Sequence, residues 1–452
     1  MRAPAQQITE GVIWKQLLSY FFPILLGTFF QQMYNTVDTI IVGRFVGTSA
    51  LAAVGAAGPL ISLVTGFFVG LSTGATVLLS QYYGAGDRRG VSNALHNGIA
   101  LALVMGAAIA VLGFTAGKQL LVWMNTPENC LANALEYERI YFLGAISSTV
   151  YNMGAGVLRA MGDSKRPTIF LMITCLLNIL GDLFFVLVLK MGIAGVAAAT
   201  VLSQTVSAVL VLLTLWKLPQ DIAFRPGKLR LDRRLLGRIL AVGVPAGLQM
   251  TTFDLAGTLI QSGVNSFGEV TVAAWTAYCK TDFLTWMISG AFGVSITTFV
   301  GQNFGAGRLD RVKKSVWTCM GMSMALVGML SVVELLFRRQ ILSIYSADAE
   351  VIRMGAYLML WTVPFNFLFM PVEIFAGTMR GTGYSVVPMV IMCLCVCAYR
   401  VLWVLTVVAK YHFIELLAVC YPISWVLASA ALYIAYLRGN WLTKPMQKEK
   451  ER

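Results

Sequence analysis

Four polar side chains stand inside long runs that are otherwise apolar: Asp38, Asn178, Asp182 and Thr200. Asn178 and Asp182 are four residues apart, so on a helix they project from one face. An aspartate and an asparagine on one helical turn, near a second aspartate, can share a proton or hold a small cation. A threonine hydroxyl would add one more oxygen. The plainer reading is that each side chain makes a helix–helix hydrogen bond, and threonine often bonds its own backbone. A carboxylate at the depth of Asp38 costs roughly 3 kcal/mol or more in hydrocarbon, which favours a functional role for the aspartates.

A second set of charges lies in the other half of the chain: Asp254, Lys280, Asp282, Glu373 and Arg400. Three acids and two bases can neutralise one another as salt bridges. Alternatively Asp254 or Glu373 faces a cavity and meets a cationic substrate or a second ion, with Lys280 as a counter-ion. Aromatic residues are dense nearby, among them Trp275, Tyr278, Phe283 and Trp286. Such walls suit hydrophobic cations, although most aromatic positions in apolar runs serve as core or face lipid.

Signals of soluble enzyme chemistry are poor. Gly84-Ala-Gly86 resembles a phosphate loop but reads better as a helix C-cap. Gly113 to Lys118 is one residue short of a Walker A spacing, and Gln119 stands where a hydroxyl is needed. His96 and His412 have no partner at metal or triad spacing. Of the eight cysteines, Cys393, Cys395 and Cys397 cluster, but without a His or carboxylate at ligand spacing they read as small apolar thiols. The sequence points to no enzyme, no cofactor and no metal beyond a possible Na⁺ at Asp38, Asn178, Asp182 and Thr200.

The elements that hold these residues are membrane spans. Of 452 residues, 58% are hydrophobic and 12% charged, half the charged share of a soluble protein. Twelve apolar runs of helix length lie near 14–43, 50–82, 91–116, 133–157, 166–188, 192–216, 236–265, 270–302, 313–336, 351–378, 386–409 and 413–437. Gly, Ser and Thr are frequent inside them, as helix interfaces in lipid prefer. The polar start, without a small-residue cleavage site, makes the first run a retained anchor rather than a signal peptide. Pro23 is expected to break that first helix and give it a hinge.

The net charge of +13 is unevenly spread. Arg88, Arg89, Lys165, Arg166, the stretch Lys217 to Arg238, Arg308 to Lys314 and the tail lysines fall on one set of loops, with Arg2 and Lys15 at the start. The opposite loops hold far fewer, a ratio of about three to one. That places both termini in the cytoplasm and makes the charge a topology signal, not a nucleic-acid patch.

The chain also repeats itself. Gln81-Tyr-Tyr-Gly-Ala-Gly86 matches Gln302-Asn-Phe-Gly-Ala-Gly307, and Leu158-Arg-Ala-Met-Gly matches Met379-Arg-Gly-Thr-Gly, both at an offset of 221; Pro23 and Pro245 correspond with one gap. Six spans per repeat give both halves the same orientation, related by a pseudo-twofold axis along the membrane normal. The expected organisation is a first lobe over 1–216, a cytoplasmic linker over 217–235, a second lobe over 236–438 and a basic tail over 439–452. At the repeat offset the second-half charges face Gln32 or Met33, Pro59, Ile61, Asn152 and Ile179, and Asp38 faces Leu259, so neither set is inherited.

The stretches ITEGVIWKQLLSYFFPILLGTFFQQMYNTVDTIIVGRFVGTSALAAVG, SQYYGAGD, VLRAMGDSKRPTI and LNILGDLFFVLVLKMGIAGVAAATVLSQ resemble the multidrug and toxic compound extrusion (MATE) family, bacterial members above all. The resemblance implies an all-α membrane protein of twelve helices in two six-helix lobes forming a V. It implies export of organic cations in exchange for H⁺ or Na⁺, in a bacterial cytoplasmic membrane; a monomer is expected. It implies an essential acid at Asp38, partners at Asn178, Asp182 and Thr200, and in another branch acids at the positions of Asp254 and Glu373. A flippase for lipid-linked precursors is the alternative, and the acidic first-half residues argue against it. A membrane-embedded transferase would need a reactive cluster and predicts no repeat.

Overall fold

The structure is a computed structural model, and it describes residues 8–124 and 126–443. Arg2 and the tail residues Lys444, Lys448, Lys450 and Arg452, which entered the charge count, lie outside the described residues. Eleven helices are long and apolar enough to cross a membrane: α1 Ile13–Val46, α2 Thr48–Gly84, α3 Arg88–Trp123, α5 Lys165–Val188, α6 Gly192–Trp216, α7 Arg233–Asn265, α8 Glu269–Gly305, α9 Leu309–Leu336, α10 Ala349–Gly381, α11 Val386–Tyr411 and α12 Ile414–Leu437. The fourth expected span, α4, is two pieces, Glu128–Leu143 and Ala145–Ala160, that meet at Gly144. Each piece is 16 residues, too short alone to cross, and the first also carries Glu128, Glu136, Glu138 and Arg139.

The duplicated turns share one backbone. Gly86 and Gly307 close α2 and α8 at φ of 72° and 70°, and Gly162 and Gly383 follow at 98° and 88°. Glycine alone adopts these values without a Cβ clash. Asp87 then caps α3, its carboxylate accepting from the Gly90 amide at 2.9 Å.

The chain forms two compact units. One comprises 22–247 with the few residues before Gly11; the other comprises Gly11–Phe21 and the chain from Leu248 onward. This differs from the expected boundary at 216 to 236, and the reason is local packing. The connector lies on α3: the Arg225 amide donates to His96 Nε2 at 3.0 Å and the Asp232 amide to Asn97 Oδ1 at 2.6 Å.

The first half of α7 then packs on α2 within the first unit through glycines. A Cβ placed on Gly243 or Gly247 would meet the carbonyl oxygen of Leu71 or Phe67 at 2.6 Å, and one on Gly70 or Gly74 would strike the α7 backbone. In the second unit the start of α1 packs on α8 at the matching place. There the contact is a stack of Phe21 on Phe292, with ring centroids 4.1 Å apart. Polar bonds fasten both: Arg238 donates to the Tyr82 hydroxyl at 2.8 Å, and Arg311 donates to Asn303 Oδ1 at 3.1 Å and Gln16 Oε1 at 3.0 Å.

Pro23 does not break α1, which runs as one α-helix over Ile13–Ile41. Its imide position removes one backbone hydrogen bond, and tertiary contacts hold the helix through it: the Thr168 hydroxyl donates to the Pro23 carbonyl, and Gly27 lies against Leu171 and Thr168. The regular helix instead changes at Val42–Val46 and, on α5, at Phe184–Val188, where each widens into a π turn just past an aspartate.

Candidate functional site

Within the first unit α1, α5 and α6 bring Asp38, Asn178, Asp182 and Thr200 together. All four are buried, because the apolar faces that carry them pack as one cluster: Val37, Ile41, Leu183, Val186, Val196 and Ala197 surround the polar group. Thr200 Oγ1 sits 3.3 Å from Asp38 Oδ2 and 3.1 Å from the Val196 carbonyl. One hydroxyl proton serves one of the two at a time, so both the functional and the plain reading of Thr200 are present. Asn178 Nδ2 donates to Thr200 Oγ1 at 3.5 Å. Asp38 and Asp182 are within hydrogen-bonding reach of each other.

The donors run out before the acceptors do. Asp38 Oδ1, Asn178 Oδ1 and both oxygens of Asp182 are buried without a hydrogen-bond partner among the described residues. Native proteins leave few such atoms, and each calls for an explanation. Two carboxyl groups in reach of one another with no donor between them repel unless a proton or cation joins them. The oxygen-only donor set suits a hard ion.

Sequence reasoning missed three parts of this interior. Tyr137 on α4 is buried beside the cluster and pairs with Tyr141 at 6.1 Å between ring centroids. Glu138 is fully buried with both oxygens unpartnered, against Gly117. In the second unit Glu334 on α9 is buried with Oε2 unpartnered. The readable signal for the two acids was a charge inside or at the end of an apolar run.

The second-half charges do not form one site. Asp282 and Arg400 line one cavity of about 340 Å³ inside the second unit. Asp282 accepts from Asn366 Nδ2 at 2.7 Å and Trp286 Nε1 at 2.8 Å, not from Lys280 or Arg400. Glu373 lies apart and pairs with Arg380 at 3.5 Å, so the expected neutralisation by the two bases is corrected: Arg380, about two helical turns further along α10, supplies the partner. Asp254 is exposed and its side chain joins no ion pair among the described residues. Lys280 is exposed too, and no salt bridge or hydrogen bond among the described residues makes it the counter-ion expected of it. Lys280→Gln should therefore shift stability by no more than about 0.5 kcal/mol, read as an unchanged melting temperature in detergent.

Eleven apolar helical spans and the two-piece α4, arranged in two repeats with an unpaired acidic cluster inside one of them, are the build of a membrane transporter. The MatE family model matches twice, at residues 23–184 and 245–405, the two matches opening on Pro23 and Pro245. The chain belongs to this family of multidrug efflux transporters. It is similar to the probable multidrug resistance protein YoeA of Bacillus subtilis, at 28% identity over 98% of this chain and 97% of that protein. It is also similar to the probable multidrug resistance protein NorM of Thermotoga maritima, at 24% identity over 99% and 97%. Its fold matches a crystal structure of MATE in complex with MaL6, with a TM-score of 0.91 at 21% identity over 98% of this chain and 100% of that one. An outward-facing multidrug resistance MATE transporter matches with a TM-score of 0.90 at 22% identity over 98% and 100%.

Proposed function

We propose that this protein is an antiporter of a bacterial cytoplasmic membrane that exports organic, mostly cationic, compounds in exchange for H⁺ or Na⁺ by alternating access. Asp38, Asn178, Asp182 and Thr200 form its coupling site. The observation that carries this reading is the pair of buried carboxyls in mutual reach, with Asp38 Oδ1, Asn178 Oδ1 and both oxygens of Asp182 accepting no hydrogen bond. A proton between Asp38 and Asp182 or a Na⁺ among the oxygens removes the same repulsion, so one cluster serves either ion. The multidrug resistance relatives support the cargo class, and the acidic cluster disfavours the flippase reading.

Neutralising Asp38 changes how α1 packs against α5 and α6. Pro23 is the hinge of that response: the helix is continuous there, yet its start up to Phe21 belongs to the second unit and the rest, from Phe22, to the first. An ion shifts a two-state equilibrium only through its different affinity for the two states, so ion and cargo compete or couple through α1. The working unit is a monomer with both termini in the cytoplasm.

The test is transport of a cationic dye such as ethidium by purified protein in liposomes, with Na⁺ and pH gradients imposed separately. One of the two gradients is expected to drive dye movement. Dye flux indifferent to both would overturn the antiport reading. In the same assay Thr200→Val removes one charge-assisted hydrogen bond and should weaken half-saturation by the driving ion about tenfold. An unchanged half-saturation would remove Thr200 from the site.

A further inference from the structure

The cavity inside the second unit carries chemistry that the coupling site does not use. Its walls are aromatic, with Trp275, Tyr278, Trp286 and Tyr421 among them, and it holds one acidic and one basic side chain, Asp282 and Arg400. They form no ion pair with each other or with another charged side chain among the described residues; their hydrogen-bond partners are neutral. Arg400 is 5% exposed. Its Nε donates to Ser424 Oγ at 2.8 Å and its guanidinium carbon lies 3.9 Å from the Tyr421 ring centroid. These contacts fix the plane of the group and use one of its five N–H donors. Nη2 is buried without a partner, and no carboxylate among the described residues pairs with it.

Asp282 is held in the opposite manner. Its two oxygens each accept from a neutral donor, Asn366 Nδ2 and Trp286 Nε1, so the side chain is oriented but no cation offsets it. The indole of Trp286 that orients the carboxylate also offers a π face close by, and cations favour such faces. A buried guanidinium with a free edge is suited to a bidentate bond with a planar carboxylate. An oriented, uncompensated carboxylate beside an aromatic ring is suited to an ammonium.

We propose that this cavity binds small aromatic zwitterions, with the ligand carboxylate on Arg400, its ammonium on Asp282 and its ring between the aromatic walls. A plain organic cation satisfies only the Asp282 end and leaves the guanidinium buried and unmet. A plain anion does the reverse. Burying a charged group without its partner is the larger penalty, so selectivity for the zwitterion follows from what the other two leave behind.

The proposal stands independently of ion coupling, because it concerns equilibrium binding with no gradient. Titration calorimetry on the purified full chain would compare three probes of nearly one shape: 4-(aminomethyl)benzoate as zwitterion, its methyl ester as cation and 4-methylbenzoate as anion. The zwitterion is expected to bind about tenfold tighter than either of the others. Arg400→Gln should abolish its advantage over the ester, and Asp282→Asn its advantage over the anion. Equal or weaker binding of the zwitterion by the unaltered protein overturns the proposal, and this comparison needs no variant to fold. Preference for the zwitterion that survives Arg400→Gln in a folded variant also overturns it. Failure here leaves dye efflux through the Asp38 site standing, and failure of that efflux leaves this binding measurable.

Discussion

Asp38→Asn should reduce gradient-driven dye efflux in liposomes to the level of empty vesicles while leaving the protein folded. Two features make the effect large. The substitution removes the one carboxylate oxygen of Asp38 that meets Thr200, at 3.3 Å, or replaces it with an amide. It also removes the charge whose repulsion of Asp182 makes a cation or proton necessary. Losing a hydrogen bond to a charged group costs about 1.5–3 kcal/mol, roughly ten- to a hundredfold in ion affinity, before the lost charge itself is counted. The folded state should survive because an asparagine has nearly the same shape and its amide supplies a donor to the unpartnered oxygens of Asp182 and Asn178. The variant therefore resembles the ion-loaded state held permanently. A melting temperature equal to or above that of the unaltered protein, together with absent efflux, is the expected pair of results. Undiminished efflux by the folded variant would remove Asp38 from the coupling mechanism.

Membrane insertion made much of this chain legible. Lipid requires long apolar runs, and an acid stands out against them, so Asp38, Asn178, Asp182 and Thr200 were readable and the structure brings all four together. The repeat was readable because turns with positive φ require glycine, and Gly86 and Gly307 keep both the residue and the angle. What was hidden depended on partners distant in sequence. Arg380 stands in the last turn of its helix, and its bond to Glu373 about two turns earlier depends on the packing in three dimensions. Asn366 lies in a short 3₁₀ stretch, Val363–Phe369, inside what reads as one uninterrupted span, so its bond to Asp282 could not be foreseen. Glu138 and Glu334 are buried only because of how their helices pack, which the sequence alone does not show. Pro23 misled in the other direction: a proline signals a break, but contacts from Thr168 and Leu171 keep α1 regular through it.

The same substitution at two glycines of α2 should have opposite signs. Gly55 is exposed and a Cβ there meets nothing within 4 Å, whereas a Cβ on Gly74 would strike the Ile239 carbonyl and the backbone of Gly243. Glycine inside a helix costs up to about 1 kcal/mol relative to alanine through backbone entropy, so Gly55→Ala should raise stability by a fraction of that to the whole of it. At Gly74 the same entropy gain is overwhelmed. Backbone atoms cannot swing aside as a side-chain end can, so α2 and α7 must separate along a seam where Gly70, Gly74, Gly243 and Gly247 interlock. Small residues repeated every four positions exist in membrane helices to allow this approach, and its loss forfeits dispersion contacts along the whole seam. Overpacking of this kind costs about 3 kcal/mol at its upper end, and several degrees of melting temperature should go with it. Thermal melts of the two variants in one detergent decide the matter. If Gly74→Ala melts as high as Gly55→Ala, α7 does not lie on α2 as closely as its glycines allow, and the packing of residues 233–247 with the first unit is wrong.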